Sequence, residues 1–430
     1  MMTKRFLSLI SIWLIIGCKP NIGKEINLVE LVPQNTSVVA QINDSISLKN
    51  SNLLTKIFSL NDDLKKTIQN IIPENTPSPH VVFITPLGRN ENVVGLICKR
   101  NPMDSVVSGM KTIKYSGKTI GTIEKEGQTF YSTHLGHFKM LSQSQLVIEN
   151  GIRNFQKQQR GITSQSFYKL AKSMDDDLAI NFILHPTSFP LANDFFPNNP
   201  LFPDTGRDWI ELGMEISENA INLNGVAFLN DSIPDGLFLV KNMKPKKLSL
   251  SKIVPENFTS YLGFPIENMQ QLEDNFKRYS RRLNLPFKGT DFSAMKNLNE
   301  IAWINVGNKK SIVFNIDDIQ ENFPDFLSTE NETKKFRNFS YYPCTIPEDL
   351  NSLIDIFGDK IDPKWACWHE NLLIMSETES GLKNLIGSYL DRNTLDRLSS
   401  YKNLEQKLAD ENSFLWVGNT KNLVKYWLQN

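Results

Sequence analysis

The sequence predicts an α+β fold of two related halves, each an antiparallel sheet with helices packed on one face. Three observations carry this expectation: a phrase that returns at an offset of 222, a later set of matches at a constant offset of 234, and a stretch of strict two-residue alternation. The phrase Val32-Pro33-Gln34-Asn35-Thr36 compares with Val254-Pro255-Glu256-Asn257-Phe258. An apolar run follows each, Val38 to Ile42 and Tyr261 to Phe264. Helical spacing comes next: Leu53, Leu54, Ile57, Leu60, Leu64 and Ile68, then Met269, Leu272, Phe276 and Tyr279. Such spacing lines one face of a helix with apolar side chains.

Further along, Met140-Leu141-Ser142-Gln143 matches Ile374-Met375-Ser376-Glu377, and Asn150 matches Asn384. Ser166-Phe167 matches Ser400-Tyr401, Leu170 matches Leu404, and Phe182 falls on Trp416. A helix is expected after Ser380 from Leu382, Leu385, Ile386, Tyr389 and Leu390. The offset grows by 12 between the two ends, so the second half carries an insertion of about that size. The polar stretch Thr329–Asn338 is its natural place.

Late in the first half, after its repeated part, Leu212, Met214 and Ile216 alternate with polar residues or Gly. Ile221, Leu223, Gly225, Ala227 and Leu229 continue the period of two. Around Glu218-Asn219 this reads as an antiparallel hairpin, apolar on one face. A second copy would start near position 443, past Asn430. The second half is therefore expected to close its sheet differently, or to take strands from a partner or a further segment.

The N-terminus explains the compartment. Lys4 and Arg5 form a positive start, and Phe6 to Ile16 is an apolar run broken only by Ser8 and Ser11. The run is too short to span a bilayer, which needs about 20 apolar residues, and has the length of a signal-peptide core. It ends in Leu14-Ile15-Ile16-Gly17-Cys18, which resembles the lipobox of bacterial lipoproteins. The resemblance implies diacylglyceryl transfer to the Cys18 sulfur, cleavage after Gly17 and acylation of the new terminus. Several acyl chains anchor stably where one does not. No Asp follows Cys18 directly, which by analogy with lipoprotein sorting implies the outer membrane. No acidic cluster follows it either, which favours the periplasmic face. The expected layout is a signal over 1–17, a tether over 18–29, and halves over 30–245 and 246–430.

The phrase Leu31 to Val39, soon after Cys18, also resembles the opening of bacterial envelope proteins of the Bacteroidetes type, a family of unknown function. They begin on a Pro-containing turn followed by a strand and a helix, in duplicated halves. The family implies no activity and no catalytic residues. Asp44-Ser45-Ile46, Asp104-Ser105-Val106 and Asp231-Ser232-Ile233 resemble the three-residue O-glycosylation acceptor of that group.

Composition narrows the function. Of 430 residues, 40% are hydrophobic and 22% charged, as in ordinary globular chains, which excludes wholesale disorder and a multi-span membrane protein. Lys+Arg and Asp+Glu are both 47, so the chain lacks the basic excess of a nucleic-acid binder, although a local basic patch stays open. Removal of 1–17 takes away Lys4 and Arg5 and leaves a net charge of −2.

Catalytic patterns are weak. His134-x-x-His137 has a spacing of three with Gly136 inside and no Glu, so a polar strand or turn is expected rather than a metal helix. Cys344 and Cys367 could pair in an oxidising compartment or pack as thiols; Cys98 reads as a core thiol. No G-x-S-x-G or phosphate loop occurs, and S-x-x-K starts at Ser108, Ser166, Ser249 and Ser380 alike, which singles out none. Asp175-Asp176-Asp177 and Asp410-Glu411-Asn412 fit turns before strands.

The expectation is a membrane-anchored envelope lipoprotein that acts as a non-enzymatic binding or assembly component, without cofactor or metal. Its partners would be the bilayer, through acylated Cys18, and another envelope protein, with no nucleic acid. The competing expectation is an envelope hydrolase or glycan-binding lipoprotein with a dispersed site, marked by converging carboxylates or by Trp365 and Trp368 exposed side by side. An exposed apolar sheet edge in the second half would mark docking.

Overall fold

A computed structural model describes residues 27–44, 62–73, 76–88, 91–100, 111–185, 207–216, 221–229, 236–285, 295–318, 333–346, 348–357, 360–419 and 421–422. They form an α+β architecture with two antiparallel sheets, of ten and eight strands. The first sheet comprises β1 (Val38–Ile42), β2 (His80–Leu87), β3 (Glu91–Lys99), β4 (Thr112–Tyr115), β5 (Lys118–Lys125), β6 (Gln128–Leu135), β7 (Phe138–Ser142), β8 (Ile180–Leu184), β9 (Arg207–Ile216) and β10 (Ile221–Leu229). The second comprises β11 (Ser260–Pro265), β12 (Leu298–Val306), β13 (Lys309–Ile316), β14 (Lys334–Phe336), β15 (Phe339–Pro343), β16 (Trp365–His369), β17 (Leu372–Ser376) and β18 (Leu415–Gly418). The helices are α1 (Asp62–Ile71), α2 (Gln145–Gln156), α3 (Gln165–Ala171), α4 (Met269–Arg282), α5 (Glu348–Phe357), α6 (Glu379–Asp391) and α7 (Ser399–Glu405). By contact the chain forms two compact units. One carries β1 to β7, and the other carries β8 to β10 together with the whole second sheet.

Seven strands run in the same spatial order in both sheets: β4-β5-β6-β7-β3-β2-β1 in the first, β14-β15-β16-β17-β13-β12-β11 in the second. Small hydrogen bonds repeat too. Thr36 N donates to Pro33 O at 3.2 Å, and Phe258 N donates to Pro255 O at 3.0 Å. The Ser142 hydroxyl donates to Val94 O at 3.3 Å and accepts from Ser144 N; the Ser376 hydroxyl donates to Lys310 O at 3.1 Å and accepts from Thr378 N. Both serines are wholly buried, so each hydroxyl meets the demand of a buried polar group at the strand-to-helix corner.

The insertion lies elsewhere than the polar stretch. β4 begins at Thr112 and β14 at Lys334, still an offset of 222, whereas β7 begins at Phe138 and β17 at Leu372, an offset of 234. The extra residues fall between β15 and β16, where α5 replaces the two-residue turn that joins β5 to β6. Leu350, Leu353 and Ile354 of α5 are buried, so the insertion adds a packed helix. The described part of Thr329–Asn338 is instead a loop residue, strand β14 and a tight turn; charged residues mislead there because edge strands carry them too.

Alternation in the second sheet feeds two cores. Leu262, Phe264, Ile301, Trp303, Ile312 and Phe314 meet α4 and α5 on one face. Tyr261, Ala302, Ile304, Val313 and Ile374 meet α6 and α7 on the other. The helical cover expected on one face is thus joined by a second layer. Strands buried on both faces read as near-continuous apolar runs, as Ile301 to Ile304 do.

Candidate functional site

The hairpin β9–β10 has the register the alternation demands: Leu223 lies opposite Met214, Gly225 opposite Leu212 and Val226 opposite Glu211. Gly225 is required, since a Cβ there would run into the Glu211 carbonyl oxygen. A bulge between Ala227 and Leu229 bends the strand. The opposite face mixes polar groups with Val226 and Phe228. The Asn222 and Asn224 side chains both donate to Lys407 O, at 3.1 and 3.2 Å, and Lys407 pairs with Glu215 at 3.4 Å.

β10 is an end strand of its sheet, and among the described residues no strand pairs with its outer side. It exposes an apolar side chain on each face, Leu223 at 37% and Val226 at 54%. Natural edges are blunted by lysine or proline. The end strands β4 and β14 follow that rule with Lys114 and with Lys334 and Lys335, but β10 (Ile-Asn-Leu-Asn-Gly-Val-Ala-Phe-Leu) has neither.

Glu211 on β9 is 6% exposed and lies between Ile183 and Val226 in the sheet. Burial, with the Asp175 charge second, pushes its carboxyl up to about 7. Asp175 belongs to the triple carboxylate, which forms the turn between α3 and β8. Its side chain accepts from Asp177 N at 2.9 Å, and its carbonyl accepts from the Asn181 side chain at 2.8 Å. These contacts hold the turn. Among the described residues no group of three or more His, Cys, Asp or Glu side chains could hold a metal ion.

A second polar cluster joins α6 to the β14–β16 end of the other sheet. Glu379, in the first turn of α6, accepts from Tyr341 OH at 2.6 Å and pairs with Lys383 at 2.7 Å and Lys334 at 3.1 Å. The Lys383 and Tyr341 hydrogen bonds lead in drawing its carboxyl down to about 2. Lys334 lies 4.4 Å from the centre of the Trp365 ring. A buried carboxylate completes the inventory. Glu300, 2% exposed, accepts from Ser249 N and Oγ, Leu250 N and Tyr261 OH at 2.7 to 3.1 Å. Burial nevertheless moves its carboxyl upward. Sequence spacing brought out neither cluster, because their members lie up to 51 positions apart.

The other candidates scatter. Cys18 and Gly17 lie outside the described residues, as do Asp104 to Val106 and Asp231 to Ile233. Cys344 and Cys367 are free, buried thiols in different cores of the second sheet. Burial pushes both up to about 12, which leaves them unreactive. Cys98 is a buried thiol on β3, in no disulfide. His134 is on β6 and His137 in the turn after it. Trp365 and Trp368 point to opposite faces, Trp365 onto the α6 core and Trp368 onto the α4 core, so they form no shared platform. The second-half edge β18 exposes no side chain: Trp416 and Leu415 pack on the two cores and Val417 is buried. The exposed apolar edge is β10 instead.

No protein-family model matches the chain, and no curated protein matches it. Two crystal structures of TP0453, crystal forms I and III, are similar over 85% of this chain and 98% and 99% of theirs. Identity is 10% in both, with TM-scores of 0.28 and 0.29. Likeness at that level carries neither fold nor activity across.

Proposed function

We propose that this chain is a lipid-anchored bacterial envelope protein that works by binding another envelope protein, without catalysis. Acylated Cys18 would hold it on the periplasmic face of the outer membrane. The observation that carries the reading is β10, an uncharged end strand with Leu223 and Val226 exposed. Such an edge accepts an extended segment by strand addition, where main-chain hydrogen bonds supply affinity and alternate side chains supply selectivity. The absence of a sequence motif for catalysis supports a binding role, and the competing glycan platform loses its geometry with the two tryptophans on opposite faces.

A photo-crosslinking residue at Val226 tests the reading in intact envelopes. A discrete adduct at 226, absent when the same residue stands at exposed Lys157, supports it. A chain recovered alone from both positions sinks it. The anchor has a separate test. Cys18→Ser should give an unprocessed or soluble protein, and normal processing with unchanged membrane attachment would disprove lipidation.

A further inference from the structure

Within a chain of zero formal net charge, α4 ends in a dense run of cations: Lys277, Arg278, Arg281 and Arg282, followed by Leu283-Asn284-Leu285. Lys277 is neutralised by Glu273, 2.5 Å away. Arg278, Arg281 and Arg282 are exposed and form no ion pair among the described residues. Two of them converge with a further cation. The Arg278 and Arg282 guanidiniums lie 5.4 and 5.5 Å from the centre of the Phe238 ring, and Lys241 Nζ lies 5.5 Å from it. Each of the two guanidiniums lies within about a Debye length, ~8 Å at physiological salt, of the same ring centre. They repel one another unless an anion comes between them.

Ordinary structural duties account for part of this. The stems cover the buried Phe238 ring and gain cation–π attraction. Cations near a helix C-terminus also suit the macrodipole. Neither duty explains Leu283 and Leu285, each 41% exposed directly beside the arginines. The backbone there is well tied. Leu285 N donates to Ser280 O at 2.9 Å and Asn284 N to Arg281 O at 3.4 Å, with Asn284 left-handed at φ 52°. This is a Schellman cap, in which the residue after the left-handed position usually folds back as an apolar contact. Here that residue, Leu285, stays 41% exposed.

We propose that this helix end, Arg278, Arg281 and Arg282 with Leu283 and Leu285, is a membrane-contact patch for anionic phospholipid. Guanidiniums bind headgroup phosphates in bidentate fashion, and the paired leucines enter the headgroup–acyl boundary beside them. A nucleic acid would satisfy the charges but leave the leucines in water, so charge and apolarity together favour a lipid surface. The patch rests on the envelope location proposed above, but not on the acyl group.

The test therefore uses the mature chain carrying Cys18→Ser, sedimented with vesicles of phosphatidylcholine alone or mixed with phosphatidylglycerol. Binding should require phosphatidylglycerol and weaken with salt. Each basic side chain at an anionic surface strengthens binding roughly fivefold, so Arg278→Gln, Arg281→Gln and Arg282→Gln together should weaken it on the order of a hundredfold. Lysine at the same three positions should retain most of the binding. Leu283→Ser with Leu285→Ser should weaken it with the charges intact. Equal binding by the wild type and the triple glutamine variant, equal binding to pure phosphatidylcholine, or a preference for an oligonucleotide over vesicles would overturn the proposal. Should the glutamine variant unfold, the wild type's dependence on phosphatidylglycerol still decides. Failed vesicle binding leaves lipidation at Cys18 untouched, and failed lipidation leaves this patch untouched.

Discussion

The two halves share a seven-strand order and differ in where they have grown. The first adds the hairpin β9–β10 at one end of its sheet, and the second inserts α5 between neighbouring strands β15 and β16. Growth at an end leaves an edge, and growth at a turn leaves a packed helix. Hence the first sheet ends in a strand with Leu223 and Val226 exposed, whereas the second-sheet end, β18, packs Leu415 and Trp416 part-buried on the two cores and buries Val417. The same strand order tolerates both because neither addition interrupts a ladder in the shared strands.

The comparison can be broken most strongly at Glu300. This buried carboxylate has no counterpart in the first half, where the equivalent positions of Tyr261 and Glu300 by register are Val39 and Pro79. Glu300→Ala strands two backbone donors and the Tyr261 hydroxyl, and should cost about 3–5 kcal/mol of stability in denaturant unfolding. Next comes Gly161, which occupies the place of Leu395 at offset 234. A Cβ at Gly161 would run into the Val32 carbonyl oxygen. Gly161→Ala should cost about 2–4 kcal/mol, whereas Leu395 is accommodated; a neutral Gly161→Ala would show that the two corners are interchangeable.

Glu211 sharpens the contrast through pH. Its folded carboxyl holds a proton up to about 7, against an ordinary 4.5, so the folded state binds the extra proton across that window. Stability contributed by that proton is present below about 4.5 and is lost as pH rises through about 7. Glu211→Gln should flatten this slope, worth roughly 2 kcal/mol, in unfolding curves taken at several pH values. The shared serines should behave alike: Ser142→Ala and Ser376→Ala each lose about 1 kcal/mol by thermal unfolding. Unequal losses would mean that the repeat is geometric without being energetic. Smallest in stability is Val226→Lys, within about 0.5 kcal/mol for an exposed site. It should nevertheless abolish the adduct formed when the photo-crosslinking residue stands at Leu223 of the same strand, because a charge blunts the edge.

Much of the fold was legible. Met269, Leu272, Phe276 and Tyr279 do lie on α4, and Leu382, Leu385 and Ile386 are the buried side of α6. The hairpin alternation became β9 and β10 in the expected register. The insertion was misplaced because Thr329–Asn338 is rich in charge, while Leu350, Leu353 and Ile354 sit among Asn, Asp and Ser and look like a loop. The sites were less legible. Glu211, Glu300 and Glu379 draw their partners from distant strands, so no spacing announces them. The arginines of α4 were visible, but a balanced total hid them; a sum over 430 residues erases a run of four.

The second sheet also sets an order of events. Its end strand β18 lies against its earliest strand, with Ser260 opposite Gly418, a separation of 158 residues. Closing so long a loop costs entropy before any ladder bond repays it, and non-local pairing of this kind slows folding. During synthesis, β11 can pair with β18 only after nearly the whole half has emerged. Until then one edge of β11 stays unpaired, the kind of edge that makes a partly folded chain prone to aggregation.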